Sequence, residues 1–153
     1  MIHVQKAGLE HIAQMCELLT ELFRLEKDFT HSNQVDKYKA GLEMIIRHPD
    51  MGQLFVLLNG DSVIGMANLL FTISTAEGGR VITLEDYILA ASERGKGYGS
   101  YFMQELVQYG RDHGFLRMTL LVDIDNEGAQ RFYAGEGYQP SNMKCMRLNL
   151  DDH

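Results

Sequence analysis

Residues 94–99 read Arg-Gly-Lys-Gly-Tyr-Gly, a glycine-rich pattern that is suited to binding an anion. An apolar run, residues 81–89, precedes this hexamer, and an amphipathic run that ends near Gly114 follows it. Strand, glycine turn and helix together form a phosphate site, because glycine lets the backbone approach the ligand and the first amides of a helix have no internal partner. The segment therefore predicts a loop that holds a phosphate through backbone N–H groups.

Three kinds of phosphate loop compete for this hexamer. A Walker A loop requires G-x-x-x-x-G-K-[ST], and the chain contains no such run. A dinucleotide fingerprint requires G-x-G-x-x-G, but Ser100 stands where its last glycine should be. The remaining pattern is R-x-x-G-x-G, which Arg94, Gly97 and Gly99 satisfy. Since surface turns also produce glycine-rich hexamers, the flanking segments decide between these interpretations.

Two flanking segments carry a resemblance to a known family. Residues 84–89 read Leu-Glu-Asp-Tyr-Ile-Leu, and residues 125–133 contain the pattern N-x-x-A-x-x-F-Y, with Gly137 and Tyr138 after it. In this order and at this spacing, the segments and the loop resemble the GNAT superfamily of N-acetyltransferases. The motifs cover residues 81–140. The sequence departs from the family where Ala90 and its neighbour stand in place of the usual proline.

The resemblance implies both a fold and a cofactor site. The fold would be α/β, of the α+β type, with a mixed and mostly antiparallel central sheet flanked by helices and a splayed strand pair that holds coenzyme A. Acetyl-CoA would be the co-substrate, with its pyrophosphate on the loop amides. Lys96 is equally well explained as a solvated loop lysine, and Asn126 as a helix cap alone. The residues that the resemblance places at the cofactor are Ile88, Leu89, Arg94, Gly95, Lys96, Gly97, Tyr98, Gly99, Ser100, Asn126 and Tyr133.

Acetyl transfer to an amine needs one group that removes a proton from the nitrogen and another that returns a proton to the leaving thiolate. By resemblance, Tyr133 is the expected general acid and Glu85 the expected general base, acting through water. Asp86 is the second candidate for the base, and otherwise would bind the ammonium group. Adjacent strand residues face opposite sides, so both acids face one site only if the strand contains a bulge.

Direct attack in a ternary complex is the expected course of the reaction. Fixing two reactants in attack geometry can contribute ~7–11 kcal/mol, which is a large part of the barrier. Cys16 and Cys145 have no histidine pattern beside them, so no cysteine nucleophile is expected. Both cysteines are expected to be buried free thiols.

The acceptor is expected to be a small-molecule primary amine. In the family, the turn between the first two helices forms one wall of the acceptor groove, so Asp28, Phe29 and His31 are candidates for substrate contact. Residues 139–142 are a second loop in which specificity would reside. Two alternatives stay open: a protein N-terminus or lysine as the acceptor, and a non-catalytic acyl-CoA-binding or sensing module.

Composition restricts the class of protein. The 153 residues suit a single domain, residues 1–153, and the net charge of −7 argues against a nucleic-acid partner while being compatible with a cationic substrate. No apolar run reaches the ~20 residues that span a membrane, and the first residues lack the apolar core of a signal peptide. A cytoplasmic protein with no membrane partner is therefore expected. The six histidines are scattered, so no metal site is expected.

The hydrophobic pattern predicts the order of helices and strands. The last predicted strand is an edge that could pair with a second copy of the chain, so a homodimer is a further expectation. The predicted elements are a strand at 2–5, a helix from Gly8, a helix at 35–47, strands at 53–58, 62–74 and 81–89, a helix after the glycine loop, a strand at 116–122 parallel to 81–89, a short helix capped by Asn126, and a strand at 143–150.

Overall fold

The computed structural model of the protein describes residues 1–26 and 34–151, which form parts of two compact units, Met1–Leu120 and Leu121–His153. The second unit contains the helix α4 (Glu127–Gly135). Short 3₁₀ turns lie at Leu9–His11 and Ala91–Glu93 in the first unit. The other elements of the first unit are β1 (Ile2–Lys6), α1 (Ile12–Leu25), α2 (Val35–Arg47), β2 (Gly52–Asn59), β3 (Ser62–Ser74), β4 (Gly79–Leu89), α3 (Tyr98–Asp112) and β5 (Met118–Leu120).

The sheet of the first unit has the strand order β1-β2-β3-β4-β5. The first four strands are antiparallel to their neighbours, and β5 is parallel to β4. The mixed, mostly antiparallel sheet that the resemblance implied is therefore confirmed. β5 pairs with Ile82, Thr83 and Leu84 alone, so the rest of β4 has no strand beside it on that edge within the part of the chain that the structure describes.

Each face of the sheet is covered by different helices. On one face, Met15 of α1 and Leu42 of α2 share a buried cluster with Val56 and Met66. On the other face lies α3, whose Phe102, Met103 and Leu106 are buried as its apolar stripe predicted. The ring of Phe55, the neighbour of Val56 in β2, contacts that of Tyr109 in α3 at 4.9 Å between centroids. The two faces can thus be followed residue by residue along the strands.

β4 contains a bulge in its second half. Met66 stands opposite Ile88 and Asn68 stands opposite Glu85, so Asp86 and Tyr87 together face a single residue of β3. Asp86 has a φ of 53°, in the left-handed region that a residue with a side chain rarely adopts. An extra residue of this kind interrupts the ladder and redirects the side chains beside it.

Four predictions about the second half of the chain need correction. The strand predicted at 116–122 is confirmed as parallel to β4 but is shorter, and β4 begins two residues before the predicted 81. Residues 143–150 form no strand in the structure, because alternating side chains do not make a strand without a partner backbone to bond. Cys145 is exposed rather than buried, whereas Cys16 is buried as expected. The homodimer stays a prediction.

The elements predicted from the first half agree closely with the structure. α1, α2 and β3 lie where their patterns placed them, and Gly60 has the positive φ of 61° that its hairpin turn requires. None of the helices described is both long and apolar enough to cross a membrane.

Candidate functional site

The glycine loop leads directly into the N-terminus of α3. Gly95 and Gly97 have φ values of 78° and 82°, a conformation that favours glycine, and Gly97 is the N-cap of the helix. The first bond of this helix runs from the Tyr101 N–H to the Gly97 carbonyl at 3.2 Å. The amides of Tyr98 and Gly99 precede it and are those for which an α-helix has no internal acceptor. They therefore lie at the positive end of the helix dipole.

Tyr87 supports this loop from β4. Its hydroxyl donates to the carbonyl of Gly99, and its ring stacks on Phe102 at 5.4 Å between centroids. Next to β4, the Ala90 N–H donates to the Ile64 carbonyl at 2.8 Å and holds the start of the loop against β3. Sequence reasoning did not single out Tyr87; the signal available was a tyrosine between the acidic pair and the loop.

Both basic side chains of the loop contact carboxylates. The Arg94 guanidinium donates to the Leu89 carbonyl from Nε at 3.2 Å and from Nη2 at 3.1 Å, and Nη2 also lies 3.1 Å from Oε1 of Glu21 in α1. Lys96 Nζ lies 3.0 Å from Oε2 of Glu93. These contacts orient both side chains within the protein, so the backbone N–H groups are the clearer anion-binding feature of the loop. The roles of Arg94, Lys96 and Leu89 at a cofactor stay predictions.

The bulge brings the two acidic residues to one face of the sheet. Asn68 stands opposite Leu54 of the cluster under α1 and α2, and Glu85 stands opposite Asn68, so Glu85 shares that face. Asp86 joins it through a hydrogen bond, in which Asn68 Nδ2 donates to Asp86 Oδ2 at 3.1 Å. The bulge that both acids would require on one side is therefore present. Ile88 lies on this face too and is buried.

The two carboxyl groups have different surroundings. Glu85 is exposed, whereas Asp86 is half-buried. Burial raises the pKa of Asp86 above its usual value, and the hydrogen bond from Asn68 opposes this rise. A carboxyl group with a raised pKa beside an exposed one is typical of candidate functional sites.

Asn68 is the residue of this region that sequence reasoning missed. It is 4 % exposed, and among the described residues its Oδ1 has no hydrogen-bond partner. The signal in the sequence was a single amide within the otherwise apolar run of residues 63–71. Its meaning depended on which residue of β4 lies opposite, and that register is not readable from β3 alone.

The second unit carries the other two predicted site residues. Asn126 Oδ1 accepts from the Ala129 N–H at 2.9 Å, which confirms its predicted role as the N-cap of α4. Tyr133 lies on α4, and its ring contacts those of Phe132 and Tyr138 at 5.4 and 5.7 Å between centroids. The roles of Asn126 at the cofactor and of Tyr133 as general acid stay predictions.

The remaining candidate features concern other parts of the chain. The predicted substrate contacts Asp28, Phe29 and His31 lie outside the described residues. A cleft of about 530 Å³ between α1 and α2 is lined partly by Cys16, and none of the predicted site residues that the structure describes lines it. Within residues 1–26 and 34–151, no three His, Cys, Asp or Glu side chains are grouped so that they could hold a metal ion.

Comparison with known proteins identifies relatives of the chain. The model of the acetyltransferase (GNAT) family matches residues 12–138. N-acetyltransferase 8F1 of Rattus norvegicus is 23% identical over 97 residues, which are 63% of this chain but only 44% of the rat protein. The chain thus matches less than half of that relative's length.

Two solved structures show the same fold along nearly the whole chain. A "possible acetyltransferase" of Clostridium difficile 630 has a TM-score of 0.87, with 14% identity and 99% of both chains covered. A "predicted acetyltransferase" of Clostridium acetobutylicum, solved "with acetyl-CoA", has a TM-score of 0.75, with 15% identity, and the match covers 100% of this chain and 99% of that one.

Proposed function

The chain belongs to the GNAT family of acetyltransferases, and we propose that it is an N-acetyltransferase that moves an acetyl group from acetyl-CoA to a small-molecule primary amine. The observation that carries the proposal is the turn of two left-handed glycines, Gly95 and Gly97, that opens the N-terminus of α3 directly after β4. β4 pairs with β5 only as far as Leu84, so the backbone of its last residues is not paired with β5. The N-terminal amides of α3 follow this end of the strand in the chain.

The loop fits the pyrophosphate of coenzyme A. A Cβ atom added at Gly95 or Gly97 would meet no atom within 4 Å, so the space above both glycines is open. Backbone N–H groups at a helix N-terminus bind phosphate oxygens through hydrogen bonds and the helix dipole. The Clostridium acetobutylicum relative, whose structure was solved with acetyl-CoA, supports the same ligand.

The acceptor nitrogen must lose a proton before it attacks. A free alkylamine has a pKa near ~10.4 and is mostly protonated at neutral pH. In the proposed reaction Asp86 holds the ammonium group and Glu85 takes its proton through water, which its exposed carboxylate can contact. The nitrogen lone pair then forms the bond to the acetyl carbonyl carbon. The carbon–sulfur bond breaks with its electron pair on sulfur, which receives a proton from the Tyr133 hydroxyl.

Direct transfer in a ternary complex is supported by the protonated, buried thiol of Cys16. Burial raises the pKa of the Cys16 thiol, against a smaller opposite effect of Lys39, so the thiolate form that would carry an acyl group is disfavoured. Cys16 also lies on α1, within the apolar cluster. Direct transfer therefore remains the simpler course.

The general acid can be tested with a matched pair of tyrosines. Tyr133→Phe removes only the hydroxyl, so kcat should fall by about 100-fold, the contribution of a positioned acid, while acetyl-CoA affinity is kept. Tyr138→Phe, whose ring contacts that of Tyr133 in the same unit, is the control and should keep kcat. Equal turnover in both variants would remove Tyr133 from the mechanism.

The proposal as a whole is tested by calorimetry and thiol release. Acetyl-CoA should bind with micromolar affinity, and a panel of primary amines should release free thiol in proportion to amine concentration. Binding without turnover on any small amine would redirect the search to peptide acceptors or a sensing role. No binding would contradict the assignment of the glycine loop.

A further inference from the structure

Asn68 and Asp86 form a hydrogen-bonded polar pair on the face of the sheet that packs against α1 and α2. Asn68 lies in the middle of β3, and its strand neighbour on the same face, Met66, is fully buried. His11, another buried polar side chain, has a clear structural role, because its Nδ1 accepts from the Gly8 N–H at 3.0 Å. Asn68 differs, since only the Nδ2 half of its amide has a partner among the described residues.

The used half of this amide faces Asp86. Nδ2 donates to Asp86 Oδ2 at 3.1 Å, which holds the carboxyl group of a residue whose backbone has a φ of 53°. A side-chain residue persists in that conformation only when its surroundings hold it there, and such positions concentrate at functional sites. Pinning the bulge requires the Nδ2 bond alone and leaves the amide oxygen unexplained.

The unused half is an acceptor. Among the residues that the structure describes, Asn68 Oδ1 has no hydrogen-bond partner although the side chain is 4 % exposed. A buried polar atom of this kind calls for a donor that is not part of the protein chain described. Asp86, whose Oδ2 accepts from Asn68 Nδ2, and Glu85, which stands opposite Asn68 in the ladder, share this face.

The polar groups identified on this face are acceptors of hydrogen bonds. One amide oxygen and two carboxyl groups share the face, and no basic side chain lies on β3 or β4 within three residues of Asn68 or Asp86. A neutral hydroxyl offers such a set one hydrogen and no charge. A primary ammonium group offers three hydrogens and a positive charge, so it matches both the number and the sign of these groups.

We propose that Asn68 is a substrate-positioning residue, which orients the Asp86 carboxyl group through Nδ2 and accepts a hydrogen of the acceptor's primary ammonium group at Oδ1. The proposal rests on the proposed amine acetyltransferase function and adds to it a recess on β3 and β4 for the nitrogen that is to be acetylated. The recess selects primary amines over alcohols and tertiary amines of the same carbon skeleton.

The first test is kinetic. Asn68→Leu keeps a similar volume and removes both the donor and the acceptor. KM for the best primary amine should rise about tenfold or more, with a smaller change in kcat and an unchanged Kd for acetyl-CoA. Met66→Leu, two residues away on the same strand and face, is the control and should leave KM unchanged.

A double-mutant cycle separates positioning from a purely structural role. If Asn68 and Asp86 hold one ammonium group together, Asn68→Leu should raise KM far less in an Asp86→Asn background than in the wild type. The exchanged pair, Asn68→Asp with Asp86→Asn, should recover part of the affinity lost in Asp86→Asn. Additive effects of the two single changes would overturn the proposal, as would an unchanged KM in a folded Asn68→Leu variant.

A binding measurement decides the question without turnover. In the full chain, with and without coenzyme A, the Asn68 side-chain ¹⁵N resonances should shift on titration with n-butylammonium and stay in place with n-butanol. These resonances are assigned by their loss in Asn68→Asp, which keeps the shape of the side chain if Asn68→Leu fails to fold. Equal shifts with both probes, or none with the amine, would overturn the recess.

The two proposals fail in different ways. Absence of acetyl-CoA binding would overturn the acetyltransferase function. The titration with n-butylammonium would then still test the amine recess independently. Amine-dependent thiol release that is insensitive to Asn68 would keep the function and remove the recess.

Discussion

The two ends of the β4–α3 pair each contain a left-handed glycine but differ in the contacts around it. At one end, β4 begins and α3 closes at Gly114, which has a φ of 75°. There the Leu116 N–H donates to the Arg80 carbonyl at 3.0 Å, and the Arg80 guanidinium lies 4.7 Å from the ring centre of Phe115. At the other end, β4 bulges and α3 opens at Gly97, with a φ of 82°.

The difference teaches that a left-handed glycine says little about function by itself. Gly114 turns the chain away from a helix C-terminus, and Arg80 at the same end lies against two aromatic rings. Gly97 turns the chain toward a helix N-terminus, where amides lack internal acceptors. Opposite the bulge at this end of β4, Asn68 of β3 has an amide oxygen with no hydrogen-bond partner among the described residues. Groups that the fold leaves without a partner mark the functional end.

The largest expected effect comes from placing the same side chain at both glycines. Gly97→Glu should weaken acetyl-CoA binding about 100-fold or more, equivalent to about 2.7 kcal/mol, since it adds bulk and negative charge beside the pyrophosphate amides. Calorimetry measures the change.

Gly114→Glu is the matched control. It imposes a similar backbone strain and the same charge at a glycine that also has open space beside it, so its melting temperature should fall as in Gly97→Glu while its acetyl-CoA affinity is kept. Equal loss of affinity in both variants would show that general destabilisation, rather than the loop, controls binding.

An intermediate effect should appear in the pH dependence of the bulge. The pKa of Asp86 is raised above its ordinary 3.8, mainly by burial, so the folded protein binds this proton more tightly than the unfolded chain does. The contribution of Asp86 to the free energy of unfolding is therefore greatest below pH 3.8 and declines as the pH rises to the raised pKa. Over the same range, affinity for an amine should increase, because the carboxylate forms.

Asp86→Asn removes this titration. Denaturant unfolding at a series of pH values should show that the wild type loses stability relative to Asp86→Asn as the pH rises through that range. Glu85→Gln, on the same face but exposed, should follow the wild-type curve. Parallel curves for the wild type and Asp86→Asn would mean that Asp86 has an ordinary pKa.

The smallest effect is expected at the structural end. Arg80 lies against Phe71 and Phe115, at 5.2 and 4.7 Å from the ring centres, so Arg80→Gln should lower the free energy of unfolding by about 0.5–1 kcal/mol and leave acetyl-CoA affinity unchanged. Arg117→Gln, which removes a 3.9 Å exposed ion pair with Glu77, is the control and should cost less. A change in acetyl-CoA affinity in Arg80→Gln would contradict the conclusion that only the Gly97 end takes part in cofactor binding.

The sequence predicted the helices, the turns and the glycine loop better than it predicted the bulge in β4. Side-chain periodicity and turn residues are local signals, and they placed α1, α2, β3 and the turn at Gly60 correctly. The interruption at Asp86 arises from the pairing of β3 with β4, which no local pattern encodes. For the same reason the acid pair was recognised from its type, while the partner that orients it, Asn68, was not.

Two further differences have a similar cause. The partners of Arg94 within the protein were not predicted: its guanidinium binds the Leu89 carbonyl and the Glu21 carboxylate, while its expected role at a phosphate stays a prediction. Residues 143–150 alternate as a strand would, yet a strand forms only when another backbone is available to pair with it. In both cases the outcome depends on residues distant in sequence.

The extra residue in β4 also makes one single-residue deletion compatible with the fold. Deleting Asp86 would leave one residue between Glu85 and Ile88, equal to the one residue between Asn68 and Met66, so the ladder would close without shifting either pair. Tyr87 would keep the face that it shares with Phe102, and the glycine loop would begin where it does now. In the proposed mechanism Asp86 binds the acceptor. Loss of this one codon would therefore give a protein that keeps the fold and the glycine loop but no longer binds the acceptor.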